Sequence, residues 1–403
     1  MNPHVPASAR PKGFRFAATA CGLKKSGLDL GLLVSEVPAA AACVFTTNLV
    51  KAAPILVSRA HLKRSESKMR AVIVNSGNAN CATGDAGLAA SKRTAAATAR
   101  AIGCRAEQIL VCSTGVIGLP MRTERILRAI PTLQVNGNSA PGSFEQFTRA
   151  IMTTDTRPKW TAAHCIIGGR RVRLLGCAKG AGMIHPQMAT MLSFIVTDAA
   201  ASPTVLRRAL RQAVSKTFNA ITVDGDTSTN DTLALLANGA SGAENLRAGG
   251  AHFDKFVAAL ESVCRSLALQ IVADGEGAQR VIEIEVRGAA SHQAAARIAS
   301  TIANSPLVKT ALAGGDPNWG RILAAAGRAG VRFDPERVEI SMAGITMCRG
   351  GCAHSFSEKA AHGKLLSKHV PIVVNLHGGK GSARAWTCDF TADYVRINAS
   401  YRS

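Results

Sequence analysis

Apolar and polar positions change period several times along the chain. Ala71-Val72-Ile73-Val74 is an unbroken apolar run, as a strand buried on both faces should be, and a polar turn comes after it. The alanine-rich stretch after that turn predicts a helix from about Asp85, which can cap it, to Ile102 before Gly103. Residues 109–112 read as another strand running into Ser113-Thr114-Gly115, which taken alone reads as a plain turn. Strand ends that feed glycine turns are natural places for backbone N–H groups to converge on an anion.

The same alternation continues through the second half. Residues 190–197 (TMLSFIVT) are rich in β-branched and large apolar types and predict a buried strand; a helix then opens at Ser202-Pro203, with serine as cap, and runs to about Phe218. A further helix is expected from His252 to Ile271, preceded by a mobile loop at Gly249-Gly250. From Val281 a third portion begins: 281–286 alternate apolar and acidic as a half-exposed strand, a helix covers about 291–303, and further strands lie near Val338, Ile372 and Tyr394. No internal repeat is present. The pattern predicts an α/β protein with mixed sheets.

Composition adds bounds. At 403 residues and 47% hydrophobic content the chain is too long for one ordinary core and predicts two or three sub-domains. Uninterrupted apolar stretches fall short of the roughly 18 residues that span a bilayer, and residues 1–10 lack a signal-peptide core. A cytoplasmic protein is expected. Eleven scattered cysteines fit free thiols in a reducing compartment. Cys348, Cys352 and His354 could supply zinc ligands, but their intervals match no common finger or ribbon spacing. Asp224, Asp226 and Ser228 start like a calcium loop, yet Thr229 stands for its glycine and Leu235 for its closing glutamate. No metal and no cofactor is expected.

A net charge of +22 raises nucleic-acid binding as a class. The cations come in short groups spread along the chain (Lys63-Arg64, Arg170-Arg171, Arg207-Arg208), and only 4% of residues are aromatic, which leaves few stacking platforms. A solvated basic surface that also attracts small anionic substrates is the better reading. Neither nucleic acid nor membrane is expected as a partner.

The richest chemistry lies in Lys179-Gly180-Ala181-Gly182-Met183-Ile184-His185-Pro186-Gln187-Met188-Ala189-Thr190-Met191-Leu192, a glycine-rich turn that delivers a threonine to a strand start. If the Ala189-Thr190 bond were cut, Thr190 would own both a hydroxyl and a free α-amine of pKa about 7.7 to 8.0. Nucleophile and base would then be one residue. Without context, Thr190 is simply the first residue of a strand, Lys179 a surface lysine, Glu276 a turn glutamate and His185 a loop histidine.

Context comes from the whole chain. Val44-Phe45-Thr46-Thr47-Asn48, Asn75-Ser76-Gly77-Asn78-Ala79-Asn80, Ser113-Thr114-Gly115-Val116-Ile117-Gly118 and Thr153-Thr154-Asp155-Thr156 precede the threonine. Asp224-Gly225-Asp226-Thr227-Ser228-Thr229-Asn230-Asp231-Thr232, Asp274-Gly275-Glu276-Gly277, Asp316-Pro317-Asn318-Trp319-Gly320-Arg321 and Asp393-Tyr394-Val395-Arg396-Ile397-Asn398 come after it. In this order the motifs resemble the ornithine acetyltransferase (glutamate N-acetyltransferase) family of arginine biosynthesis, from Pro11 to the last residue.

The resemblance implies a self-processing N-terminal-threonine-nucleophile fold with α/β/β/α layers, cut between Ala189 and Thr190. An α chain of 1–189 would stay with a β chain of 190–403, in which 190–280 complete the catalytic core and 281–403 form a C-terminal sub-domain. It implies Thr190 as nucleophile and Thr114 with Gly115 as oxyanion hole. Substrate contacts would fall on Thr153, Lys179, Thr190, Glu276, Asn398 and Ser403, with Lys179 suited to a carboxylate and Glu276 to an amine. The implied reaction moves an acetyl group from N-acetylornithine to glutamate by a ping-pong route, with acetyl-CoA as a further possible donor and a heterotetramer of two α and two β chains as the assembly. An aminopeptidase on the same fold is the alternative. Where this chain has Ser403 many members end in threonine, Gln279-Arg280 replace a common Thr-Lys, and His185 and Gln187 replace a small residue and Asn.

Overall fold

The structure is a computed structural model and describes residues 5–133, 143–185 and 191–400. Backbone contacts divide the chain into two units interleaved in sequence: one built from 1–180, 187–217 and 227–267, the other from 181–186, 218–226 and 268–403.

The first unit holds one sheet of eight strands: β1 Phe14–Thr19, β2 Leu30–Phe45, β3 Lys68–Asn78, β4 Ile109–Val116, β5 Lys159–Ile167, β6 Arg170–Lys179, β7 Leu192–Thr197 and β8 Thr232–Ala237. Their order is β4-β3-β2-β8-β7-β6-β5, with β1 beside β2. β3 with β4 and β7 with β8 are parallel, and the other pairs are antiparallel. β2 is the pivot. Its first half pairs with β3, its register breaks between Val34 and Ala39, and residues 40–45 pair with β8. Such a break bends a strand and re-aims the residues beyond it.

The bend folds the sheet onto itself. Val72 and Val74 of β3 and Leu110 and Cys112 of β4 share one buried cluster with Leu175, Cys177, Leu192, Phe194, Val196 and Leu236 from the other half. Alternate residues of the first half, Ala71, Ile73, Ile109 and Val111, face outward onto Ala95 and Ala99 of the helix Gly84–Ile102. On the other side the helix Ala251–Ala273 buries Phe256, Leu260, Val263 and Leu267. A β-carbon added to Gly176 of β6 would lie 2.8 Å from Val263 Cγ1, so a larger residue there would push the helix's side chains aside. Helix, sheet, sheet and helix therefore succeed one another, the layering that the family resemblance implies.

The second unit holds β9 Val281–Ala289, β10 Glu339–Met342, β11 Ile345–Arg349, β12 Cys352–Ala353, β13 His369–Asn375 and β14 Gly381–Cys388, in the order β12-β11-β10-β13-β9-β14. Ile282, Ile284 and Val286 point into a core shared with Ile298 and Ile302 of the helix His292–Ala303. The intervening Glu283 and Glu285 face outward, where they meet Arg384.

Most expected elements are present, with corrections at three places. Asp85 does not cap its helix; the helix starts at Gly84 and Asp85 sits in its first turn. Tyr394 lies on the helix Ala392–Ala399, not on a strand. Ser113, Thr114 and Gly115 continue β4 rather than turning. Ser202 caps the helix Pro203–Ser215 as expected, its Oγ accepting the Val205 N–H at 3.3 Å. The helix Ala251–Ala273 is long and apolar enough to cross a membrane by length and composition, but half of its apolar stretch is buried inside the protein. It is a core helix.

Candidate active site

The site in the first unit begins where β3 and β4 end side by side. Ser76 pairs with Thr114 and Gly77 with Gly115. Gly115 has φ of +133°, and a β-carbon there would fall 2.3 Å from the Gly77 carbonyl carbon, so no other residue fits without moving the neighbouring strand. Asn230 braces this end from a distant loop: its Nδ2 donates to the carbonyls of Ser113 at 2.9 Å and Ala79 at 2.6 Å. The Ser113 hydroxyl donates to Asn75 Oδ1 at 2.6 Å. Thr114 and Gly115 thus sit on a strand terminus held by buried side-chain amides, a rigid mount for a pair of donors.

Lys179, the last residue of β6, is only 3% exposed. Its Nζ donates to Thr153 Oγ1 at 2.7 Å and to Thr114 Oγ1 at 3.2 Å. Because Thr114 Oγ1 accepts from the ammonium, its own proton is left to point elsewhere. Asp155 supports the arrangement from behind, with Oδ1 accepting from Lys159 Nζ at 2.6 Å and Gly180 N at 2.7 Å, and Oδ2 from Thr153 N at 3.0 Å. Burial alone would raise the Asp155 pKa, but Lys179 and Lys159 together with the Gly180 N–H hold it down at about 2.

Asp231 is the other buried carboxyl here, 1% exposed. Oδ1 accepts the Met191 N–H at 2.8 Å, while Oδ2 is buried without a hydrogen-bond partner. Burial pushes its pKa well above the usual carboxylate range, against the pull of the Met191 amide and Lys179. Met191 is the residue directly after Thr190.

In the second unit, Glu276 is buried and its Oε2 accepts from Asn398 Nδ2 at 2.8 Å. The carboxylate lies so close to Gly182 that a β-carbon there would be 2.4 Å from Oε2. Asp224 gathers the approach to residue 186: Oδ2 accepts Met183 N at 2.5 Å and Oδ1 accepts Ile184 N at 2.8 Å. Those amides occupy the oxygens that a calcium-loop reading would have used.

The structure therefore brings together Lys179, Thr153, Thr114 and Gly115 in the first unit, and Glu276 with Asn398 in the second. Ala189, Thr190, Gln187 and Ser403 lie outside the described residues. His185 has its Nδ1 buried with no hydrogen-bond partner. Among the described residues no group of three His, Cys, Asp or Glu side chains stands close enough to hold a metal ion; Cys348 is buried in β11 and Cys352 exposed in β12. Asp155, Asn230 and Asp231 carry no functional role in the sequence reading, although they stand inside quoted motifs. Their signal is a carboxylate or amide within a run of small hydroxyl residues.

A sheet folded between two helical layers, with a glycine-locked strand end and a buried lysine at the end of β6, defines a protein of the layered α/β/β/α class. Within that class, the chain belongs to the ArgJ family, whose profile matches residues 15–403. The arginine biosynthesis bifunctional protein ArgJ of Geobacter sulfurreducens is 49% identical over 395 residues, covering 97% of this chain and 99% of that one. Its namesake in Symbiobacterium thermophilum is 46% identical over 396 residues, covering 98% of each. The crystal structure of arginine biosynthesis bifunctional protein argJ from Bacillus halodurans is 46% identical and superposes with a TM-score of 0.52, with 53% of this chain covering 100% of that chain.

Proposed function

We propose that the chain is an acetyltransferase of arginine biosynthesis that cuts itself between Ala189 and Thr190 and then carries the acetyl group on Thr190. The Thr190 hydroxyl attacks the Ala189 carbonyl, the peptide becomes an ester, and water hydrolyses it to a free Ala189 carboxylate and a free Thr190 amine. One size relation supports the cut: residues 190–403 are 214 of 403, the same share of this chain that matches the whole of the solved Bacillus halodurans chain.

Transfer then runs in two balanced halves. Thr190 Oγ attacks the acetyl carbonyl of N-acetylornithine, the C–N bond breaks, and the threonine amine passes the hydroxyl proton to the leaving ornithine amine. The glutamate amine next attacks acetyl-Thr190 and restores the hydroxyl. Each half passes through an oxyanion, for which Gly115 N–H and the Thr114 hydroxyl are the donors. Lys179 and Thr153 take the substrate carboxylate; Glu276, steered by Asn398, takes the distal ammonium, and Ser403 completes the contacts. Acetyl-CoA serves as the second donor that a bifunctional enzyme needs. Two α and two β chains form the assembly, which works in the cytoplasm.

The observation that carries this reading is the buried Lys179 bridging Thr114 and Thr153. Its test is the intact mass and N-terminal sequence of the purified protein in denaturant, then acetyl transfer from N-acetylornithine to glutamate. Two fragments, one starting at Thr190, are expected, and a Thr190→Ala control should stay whole. A single chain with transfer activity equal to that control would sink the reading.

A further inference from the structure

The first unit contains a concavity of about 780 Å³ whose lining includes four cations, Lys24, Lys25, Arg122 and Arg125, and no acidic residue. Its position is informative. Gly77 and Asn78 line it, and they pair in register with Gly115 and Val116, so it opens at the strand end that bears the donor pair. Lys24 Nζ donates to the carbonyl of Met152 at 3.2 Å, one residue before Thr153, and Arg125 donates to the Gly22 carbonyl. The side chains of Lys25 and Arg122 are exposed and make no hydrogen bond or ion pair among the described residues. The apolar Leu119 and Pro120 complete the wall.

Neither amino-acid substrate explains this lining. N-acetylornithine brings one carboxylate and an ammonium, glutamate two carboxylates and an ammonium, and an ammonium needs acceptor oxygens, whereas the one side-chain oxygen in the lining, Asn78 Oδ1, already accepts the Asn80 N–H at 2.7 Å. Four like charges around one space repel each other until a polyanion arrives. Arginine forks match phosphate oxygens two at a time, and lysines add point charge. An apolar wall beside such a cluster suits a nucleobase or an aliphatic arm.

We propose that this concavity binds the phosphorylated nucleotide end of acetyl-CoA, with Lys25 and Arg122 on its phosphates, so that the thioester is delivered to the same nucleophile as N-acetylornithine. The inference rests on the acetyl-transfer reading above. In the step it serves, Thr190 Oγ attacks the thioester carbonyl, the C–S bond breaks, and the leaving thiolate takes the hydroxyl proton; glutamate then accepts the acetyl group. It also gives a reason for part of the strong basic charge of the chain.

The test uses the processed enzyme and the double variant Lys25→Gln/Arg122→Gln, in which no side-chain hydrogen bond among the described residues is lost. Calorimetric titration with adenosine 3′,5′-diphosphate, and initial rates with acetyl-CoA or N-acetylornithine as donor to glutamate, are measured for both. The expected result is a Kd for adenosine 3′,5′-diphosphate and a KM for acetyl-CoA raised about tenfold or more in the variant, with N-acetylornithine transfer within about twofold. The assignment is overturned if the native enzyme fails to bind adenosine 3′,5′-diphosphate, if binding is the same in the variant, if inorganic phosphate binds as tightly as the nucleotide, or if both transfers fall together. Failure of the native enzyme to bind the nucleotide, with N-acetylornithine transfer intact, refutes the concavity alone, whereas absent N-acetylornithine transfer in the native enzyme refutes the acetyltransferase reading itself.

Discussion

Asp231 accepts the main-chain N–H of Met191 at 2.8 Å while its second oxygen stays buried with no hydrogen-bond partner. One carboxyl thus anchors the peptide after residue 190 at a cost. Its folded pKa is raised by burial, so the stability it contributes is full below its ordinary value of 3.8 and is lost as pH rises through the folded pKa. Asp231→Asn keeps an acceptor for Met191 and cannot ionise. In urea unfolding it should match the native protein near pH 4 and be the more stable of the two at pH 7. Asp231→Leu, which leaves the Met191 N–H buried and unmet, should lose about 1–3 kcal/mol at either pH. A less stable Asn variant at pH 7 would show that the ionised form is required.

Asp155 has the opposite sign. Its pKa is held at about 2, below its ordinary 3.8, so its stabilisation is full above the ordinary value and is lost as pH falls through the folded one. The shift corresponds to about 2 kcal/mol. Acid unfolding of the native protein should therefore steepen between about pH 4 and pH 2. Asp155→Asn should remove that dependence and also cost about 3–5 kcal/mol at neutral pH, because it removes one charge of a fully buried ion pair, the carboxylate that Lys159 Nζ meets at 2.6 Å. A circular-dichroism titration of both proteins checks the two expectations.

Thr114 and Lys179 touch, yet their substitutions should read out differently. Thr114→Ala removes one of the donors proposed for the developing oxyanion and should lower kcat about 10²–10³-fold with little change in KM. Lys179→Gln removes the charge proposed to hold the substrate carboxylate, so KM should rise about tenfold or more. The Lys179 change also removes part of what holds the Asp155 pKa down, so acid unfolding should begin at higher pH. Equal losses in kcat and KM for both variants would merge the two roles into one structural role.

Local period carries far along this chain where packing agrees with it. The run 71–74 and the alternation at 281–286 are strands, and serines 202 and 291 are caps, because burial there reinforces the local preference. Tyr394 misleads for a physical reason: Tyr394, Val395 and Ile397 favour strands, yet their helix buries none of its residues and so owes little to side-chain packing. Ser113-Thr114-Gly115 is a turn by composition and a strand by its pairing with β3, where Asn75 and Ser113 meet across 38 residues that periodicity cannot see. The proposed nucleophile and its proposed partners rest on motif resemblance, not on periodicity. Which carboxyls are buried is not, since Asp231 meets Met191 from 40 residues away and Asp155 meets Gly180 from 25.

The C-terminal helix offers the sharpest separation of fold from function. Residues 392–399 bury no side chain, and Asn398 is exposed, but its Nδ2 reaches the buried carboxylate of Glu276 at 2.8 Å. Removing residues 398–403 therefore deletes the contact proposed to orient substrate, and of these residues 398–400 are exposed. The thermal midpoint should shift by no more than a few degrees, as expected for a loss near 1 kcal/mol or less in a large domain. Transfer from N-acetylornithine to glutamate should fall by about tenfold or more, because Glu276 loses the amide that holds its carboxylate for the proposed ammonium contact. Asn398→Asp sharpens the point, since it places a second negative charge against Glu276 and should weaken activity further than Asn398→Ala. Calorimetry and transfer rates on the three variants, side by side, distinguish this from a structural role: a midpoint that drops in step with activity would mean that the helix supports the fold, and that its Asn398 is not a substrate contact.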